Sequence, residues 1–351
     1  MSAQAEPAQK GIEWKWERFA TYGEKLPYMP RQDRVIFANI ALGLAEDLSK
    51  SSYIRETEER LQDFEKYYAR VTENLDEDTD AIQSAVATYF YAEHHKAGLK
   101  DGKFDIQFYS KSDGAQTGLI CHILNGEQIC RYFIKTHQHG PTKNNPISLQ
   151  PPDVKEAFIY KLLYRIGSGP EVHFIVPVHD TRRTVYIATK DCHLVLLSNL
   201  THETVNFKAL LQLDLISRIL CLRDCASNPF NCGQVGDKPM IVDFRVDSQP
   251  TGYLKSDILD RFYKGNGEFN YVGLMGTAVK TSNQEKLNIV KESLEEWKLL
   301  KSIEEGAAEV NEWIQEVRGK IGFENDLDQY ARDIKATVNL LYKACDMDGR
   351  P

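Results

Sequence analysis

Residues 128–166 read QICRYFIKTHQHGPTKNNPISLQPPDVKEAFIYKLLYRI. Their first nine positions, rich in aromatic and β-branched side chains, predict a strand over 128–136 that closes on Lys135. A polar stretch from His137 to Pro152 follows. Residues 153–166 then carry the apolar spacing of a helix, opened by Asp153 and stopped at Gly167 and Gly169-Pro170. The fold turns on this succession: a lysine at a strand end, then Glu156 in the first turn of the next helix. Each half also has a plainer reading. Strand-end lysines are commonly solvated, and Glu156, three residues after Asp153, suits the reciprocal position of a capping box.

On the N-terminal side, strands are expected over 104–109 and 119–124. Asn125-Gly126 signals a two-residue hairpin turn into the Lys135 strand, because both residues tolerate positive φ. Before them the first hundred residues are mostly helical, beginning with a stretch of good helix formers at 31–48. Ile54, Leu61, Phe64, Tyr68, Val71 and Leu75 fall on one stripe of a helix whose other face is charged, which predicts packing rather than a coiled coil. The acidic run NLDEDTD at 74–80 reads as a loop, with a further helix over 82–95 ending near Gly98. Trp14 and Trp16, on either side of Lys15, read as aromatic cover for the domain in preference to a partner site.

On the C-terminal side, strands are expected at 173–178 and 184–189, then a long helix over 205–222. Residues 221–246 read CLRDCASNPFNCGQVGDKPMIVDFRV: Asp224, a polar loop with Asn228 and Asn231, and a short strand over 240–244 that carries Asp243. Helices return from about 281. Ser282 and Glu285 form a capping-box pattern, Leu287, Val290, Leu294 and Trp297 share one face, and a last helix spans 327–344. The expected organisation is a helical region over 1–100, a core over 101–280 in two parts (about 101–190 and 191–280), and a helical region over 281–351.

The series Lys135, Glu156, Asp224, Asn231, Asp243 supplies residue types that phosphoryl transfer uses. That chemistry asks for a loop over the phosphates, a lysine on them, a carboxylate to hold the lysine, and oxygen ligands for Mg²⁺. In this order the chain resembles the protein-kinase-like superfamily over roughly residues 104–247, and within it the atypical, actin-fragmin-kinase-like branch. The stretches RYFIKTHQHGPT and KEAFIYKLLYRIGSGPEVHFI carry the resemblance to kinase-like proteins of undefined substrate. The resemblance implies an α+β fold: a bilobal kinase-like core, with an antiparallel-sheet N-lobe and a reduced helical C-lobe, plus added terminal helices. It also implies ATP and Mg²⁺ as cofactors. Lys135 would contact the α- and β-phosphates, Glu156 would pair with Lys135, and Asp224 would be the catalytic-loop aspartate. Asn231 and Asp243 would hold the metal.

Several positions depart from the family pattern. The kinase catalytic loop sets its asparagine five residues after the aspartate, whereas here Pro229 holds that place and the asparagines stand four and seven residues on. Asn231 is preferred as metal ligand because it directly precedes the turn and strand; Asn228 is the alternative. No histidine precedes Arg223-Asp224, and Arg245 replaces the glycine after Asp243-Phe244, restricting the hinge usual there. The nearest phosphate-loop candidate is Ser112–Gly118, with Gly114 and Gly118, which reads nearly as well as a surface hairpin turn. No activation-loop signature follows Asp243.

Other chemistries have less support. His137 and His139 lack a third metal ligand at suitable spacing. Cys221, Cys225 and Cys232 read as buried thiols, and no local motif pairs a cysteine nucleophile with His173, His179 or His193. Lys and Arg total 43 against 51 for Asp and Glu, a net charge of −8, which disfavours a nucleic-acid coat. No apolar run suits a bilayer span, no secretory segment opens the chain, and seven cysteines without a CxxC pair fit reduced thiols in a cytosolic or nuclear setting. The Asn199-Leu-Thr201 sequon carries no weight there. The leading expectation is an ATP- and Mg²⁺-dependent phosphotransferase acting on a protein hydroxyl. The alternatives are a pseudokinase, or a kinase-like interaction protein or toxin that keeps the fold without turnover, and a purely structural helical scaffold. The expected partner is a protein, with neither nucleic acid nor membrane involved.

Overall fold

A computed structural model describes residues 5–29, 31–98, 104–111, 116–142, 150–177, 184–201, 203–225, 228, 230–246, 258–264 and 281–347. Three helices come first: α1 (Ala5–Lys25), α2 (Arg31–Ser49) and α3 (Glu58–Lys96). Next are β1 (Phe104–Ser110), β2 (Gly118–Asn125), β3 (Gln128–Thr136), α4 (Val154–Arg165), β4 (Val172–Ile175) and β5 (Tyr186–Lys190). Then follow β6 (Val195–Leu196), α5 (Phe207–Leu220), β7 (Leu222–Arg223), β8 (Cys232–Val235), β9 (Lys238–Ile241) and β10 (Arg245–Val246). The last described elements are α6 (Ile258–Lys264), α7 (Asn283–Trp297), α8 (Leu299–Glu316) and α9 (Leu327–Ala344). The fold is mixed α+β, with an antiparallel five-stranded sheet ordered β1-β2-β3-β5-β4. Two compact units divide the chain. The first holds Met1–Ile129, Ile134–Pro151 and Ile175–Tyr186; the second holds Cys130–Phe133, Pro152–Phe174 and Ile187–Pro351.

In the first unit α1, α2 and the front of α3 bury Phe19, Tyr22, Leu26, Ala38, Ala41, Ala45, Leu48, Tyr67 and Val71. Full burial of a large apolar side chain contributes about 1.5–3 kcal/mol each. The alanines of α2 let the helices approach closely. Of the predicted stripe, Val71 and Ile54 (just before the helix) are buried and Phe64 is half-buried, whereas Leu61 and Tyr68 stay largely exposed, Tyr67 takes a buried place outside the stripe, and the Leu75 side chain lies outside the described residues. The acidic run at 74–80 is a second correction, since α3 passes through it without a break. Those seven residues include no Gly or Pro, and their weak propensity costs only tenths of a kcal/mol each. Ile82, Val86 and Phe90 resume a buried face beyond it, and His94 stacks on Phe104 of β1 at 3.9 Å between ring centroids. β1 and β2 pair from Phe104–Asn125 to Ser110–Leu119. Asn125 ends β2, so the turn falls on Gly126-Glu127, with Gly126 at φ +65°. A glycine in the first turn position suits that geometry, which the Asn-Gly reading placed one residue early.

The second unit is organised about α4. Val154 to Tyr160 are all buried, as are Leu162 and Leu163, which is the signature of a helix surrounded by protein. Phe158 meets Tyr330 of α9 edge-on at 5.8 Å, and Arg165 pairs with Glu305 and Glu309 of α8. Backbone bonds Val154 N to Glu324 O (3.3 Å) and Glu324 N to Pro152 O (2.9 Å) fix the start of α4 to the turn before α9. The stretch expected as one polar loop after α5 instead contains β7 and β8. β8 lies between β6 and β9, and its register sets Gln234 against Pro239. Cysteine, glycine and glutamine gave that strand no hydrophobic alternation to read. Pro239 is tolerated because β9 is an edge strand.

Candidate functional site

The buried face of α5 (Leu210, Leu213, Ile216, Ile219, Leu220) anchors the helix, whose N-cap Asn206 accepts the Ala209 amide at 3.0 Å. The helix stops at Cys221 in the left-handed region, φ +54°. Two residues of β7 pair with β10, Arg223 opposite Arg245, and Asp224 is again left-handed at φ +63°. Non-glycine residues in that region cost about 1–3 kcal/mol and persist only where surrounding contacts fix them. Asp224 is one of the less penalised types.

Those contacts come from Asn231. Its side-chain amide donates to the Asp224 carbonyl at 3.1 Å, and its own carbonyl accepts the Val242 and Asp243 amides at 2.9 and 3.2 Å. Asn231 thus joins the two aspartate-bearing segments. Asn228 has another job: its carboxamide oxygen accepts the Phe230 amide at 3.2 Å, which turns the loop. Behind the loop, the Cys232 thiol donates to Cys225 O (3.1 Å) and the Cys225 thiol to Asp243 O (3.6 Å). Burial pushes the Cys232 thiol up to about 12 and Cys225 well above its ordinary value. Both are protonated at neutral pH and unsuited to nucleophilic attack.

Asp243 Oδ1 accepts the Phe244 amide at 2.9 Å, and the Phe244 ring rests on Tyr160 of α4, centroids 4.5 Å apart. Tyr160 is one helical turn beyond Glu156, which is 1% exposed. Ile241 N donates to Ser168 O (2.8 Å), tying β9 to the turn after α4. The second unit therefore gathers Asp224, Asn231 and Asp243 in one bonded loop, and carries Glu156 on the helix that Phe244 touches. Asp153 caps that helix through the Lys155 amide at 2.9 Å, one residue short of the capping-box position considered for Glu156.

Lys135 belongs to the first unit, at the end of β3, and is 8% exposed. The next residues are held by Thr136 N to Thr117 O (3.1 Å) and His137 N to Val185 O (2.9 Å). Gly118 opens β2 against this segment: a Cβ there would meet Ile134 O at 2.1 Å and Lys135 Cα at 3.2 Å. A close backbone approach therefore requires glycine at 118. Gly114 lies outside the described residues, as does His179.

One contact was missed by sequence reasoning. Arg245 Nε pairs with Asp224 Oδ2 at 2.9 Å. The sequence marked Arg245 only as a missing glycine; a cation two residues after Asp243 was the available signal. Among the described residues no group of three or more His, Cys, Asp or Glu could hold a metal ion, and no helix is long and apolar enough to cross a membrane. Comparison with protein-family models, with curated proteins and with solved structures gave no match.

Proposed function

We propose that the chain is an ATP- and Mg²⁺-dependent phosphotransferase with a kinase-like bilobal core, acting on a hydroxyl group of a protein. The observation that carries this reading is the Asn231 bridge, with Asp224 on one side at 3.1 Å and Asp243 on the other at 3.2 Å. Phosphoryl transfer is mostly positioning and charge neutralisation, so a carboxylate for the acceptor proton beside oxygen donors for a cation is the core requirement. The donor set fits Mg²⁺, which is commonly held by one or two protein oxygens together with substrate phosphates. Asn231 Oδ1 and the Asp243 carboxylate would hold it, and the ion supplies neutralisation of phosphate charge. Asp224 orients the acceptor hydroxyl and takes its proton. Lys135 holds the α- and β-phosphates and Glu156 orients Lys135; both roles rest on the resemblance.

Transfer of ³²P from labelled ATP to a mixed Ser/Thr/Tyr peptide library tests the reading. Asp243→Ala and Lys135→Ala are each expected to abolish transfer. Full transfer by Asp243→Ala would show that the metal ligand lies elsewhere. The second reading is a pseudokinase, and a toxin or other interaction protein belongs to the same class. The Arg245–Asp224 ion pair favours it, because it engages the carboxylate that turnover needs. A Tm rise with Mg-ATP but no transfer from any acceptor would select it.

A further inference from the structure

We infer that Arg245 is a positioning residue that restrains Asp224, and that its release sets the rate of transfer; this rests on the phosphotransferase reading above. Three observations converge. First, the pairing of β10 with β7 sets Arg245 opposite Arg223, so the backbone delivers its side chain next to Asp224. Second, the guanidinium spends Nε on Asp224 Oδ2 at 2.9 Å, and its terminal amino groups make no further hydrogen bond among the described residues. Third, both side chains are substantially open to water, Arg245 67% and Asp224 40% exposed, so the pair can part without stranding a buried charge.

The chemistry follows from what each group must do. An acceptor hydroxyl delivers its proton to an Asp224 oxygen, and an oxygen already holding a guanidinium is a poorer and misoriented acceptor. The terminal N–H groups of the arginine fork, which bond no other described residue, would take phosphate oxygens in bidentate fashion. Arrival of a phosphoryl group therefore draws the guanidinium from Asp224 and frees the carboxylate as the substrate is assembled. Glycine at 245 would leave Asp224 permanently unrestrained.

Arg245→Gly and the uncharged, polar Arg245→Gln test this, with labelled transfer to the peptide library and Mg-ATP binding read by Tm. Both variants are expected to bind Mg-ATP no more tightly than the natural chain, since a phosphate contact is lost, and at saturating Mg-ATP to raise kcat about two- to fivefold, the range an exposed ion pair carries. The advantage should shrink toward unity between low and high salt at saturating ATP, because only the natural chain has a pair to screen. A purely structural role for Arg245 would not give that salt dependence. If the natural chain binds Mg-ATP and transfers label but neither variant transfers faster, or only the glycine variant does, the restraint is overturned and the phosphotransferase reading stands. If Mg-ATP shifts the Tm of none of the three proteins, that reading falls and the restraint with it.

Discussion

His137 follows the Lys135–Thr136 strand end and is 1% exposed, with Nδ1 accepting the Val185 amide at 3.3 Å. Burial lowers its pKa to about 4. In the unfolded chain the imidazole titrates near ~6.5. Between those values the unfolded state takes up a proton that the folded state refuses, so the contribution to stability is present above ~6.5 and is lost as pH falls through about 4. His137→Gln should consequently lose less stability than the natural chain between pH 7 and pH 5. The difference is expected to be about 2 kcal/mol in denaturant melts, and parallel pH profiles would remove His137 as the cause. Glu171 works in a lower window. Its bond to His173, with Lys190 adding to it, lowers its carboxyl to about 2, so its contribution is lost only as pH falls from the ordinary carboxylate range through that value. The importance of His137 could not be read from sequence. A histidine two residues before another looks the same whether it is enclosed or solvated, and enclosure depends on Val185, 48 residues away.

At the level of elements, α4 depends on its cap. Asp153 is largely buried and satisfies the Lys155 amide, one of the donors a helix start leaves without a partner. Asp153→Ala is expected to lower stability by about 1 kcal/mol in denaturant melts and Asp153→Ser to restore most of it. An unchanged midpoint in the alanine variant would place the cap energy elsewhere. The main elements were legible because their signals are local: nine residues of β3, the cap and glycine stop of α4, the Ser282–Glu285 box of α7. The elements that escaped lack a local pattern of their own. β8 is a strand because β6 and β9 flank it, and Gly233 has no room for a side chain against Val195. α3 runs through its acidic stretch because apolar contacts on both sides outweigh weak propensity. Within the candidate site, Asp224, Asn231 and Asp243 were legible in order and residue type. The Asn231 bridge and the Arg245 pair were not, since both arise when a turn and a two-residue strand fold back together.

At the level of the whole second unit, the helices beyond residue 281 are part of the structure that holds α4. Arg165 reaches two carboxylates on α8, Phe158 meets Tyr330, and Tyr330 donates to Leu220 O of α5 at 3.3 Å. In native-state hydrogen exchange, α4, α8 and α9 are expected to open as one cooperative group with a common free energy. Deleting residues 299–351 should strip α4 of protection. Retention of protection after that deletion would show the terminal helices to be an accessory.

The Phe244 ring on Tyr160 carries one more consequence. It is a mechanical linkage between backbone and helix: a shift of the chain at Asp243–Phe244 would move a ring that rests on α4, one turn from Glu156. With arginine at 245, the segment also lacks the pivot that a glycine would give. A fluorescent or spin probe on α4 is accordingly expected to respond when the chain shifts at Asp243.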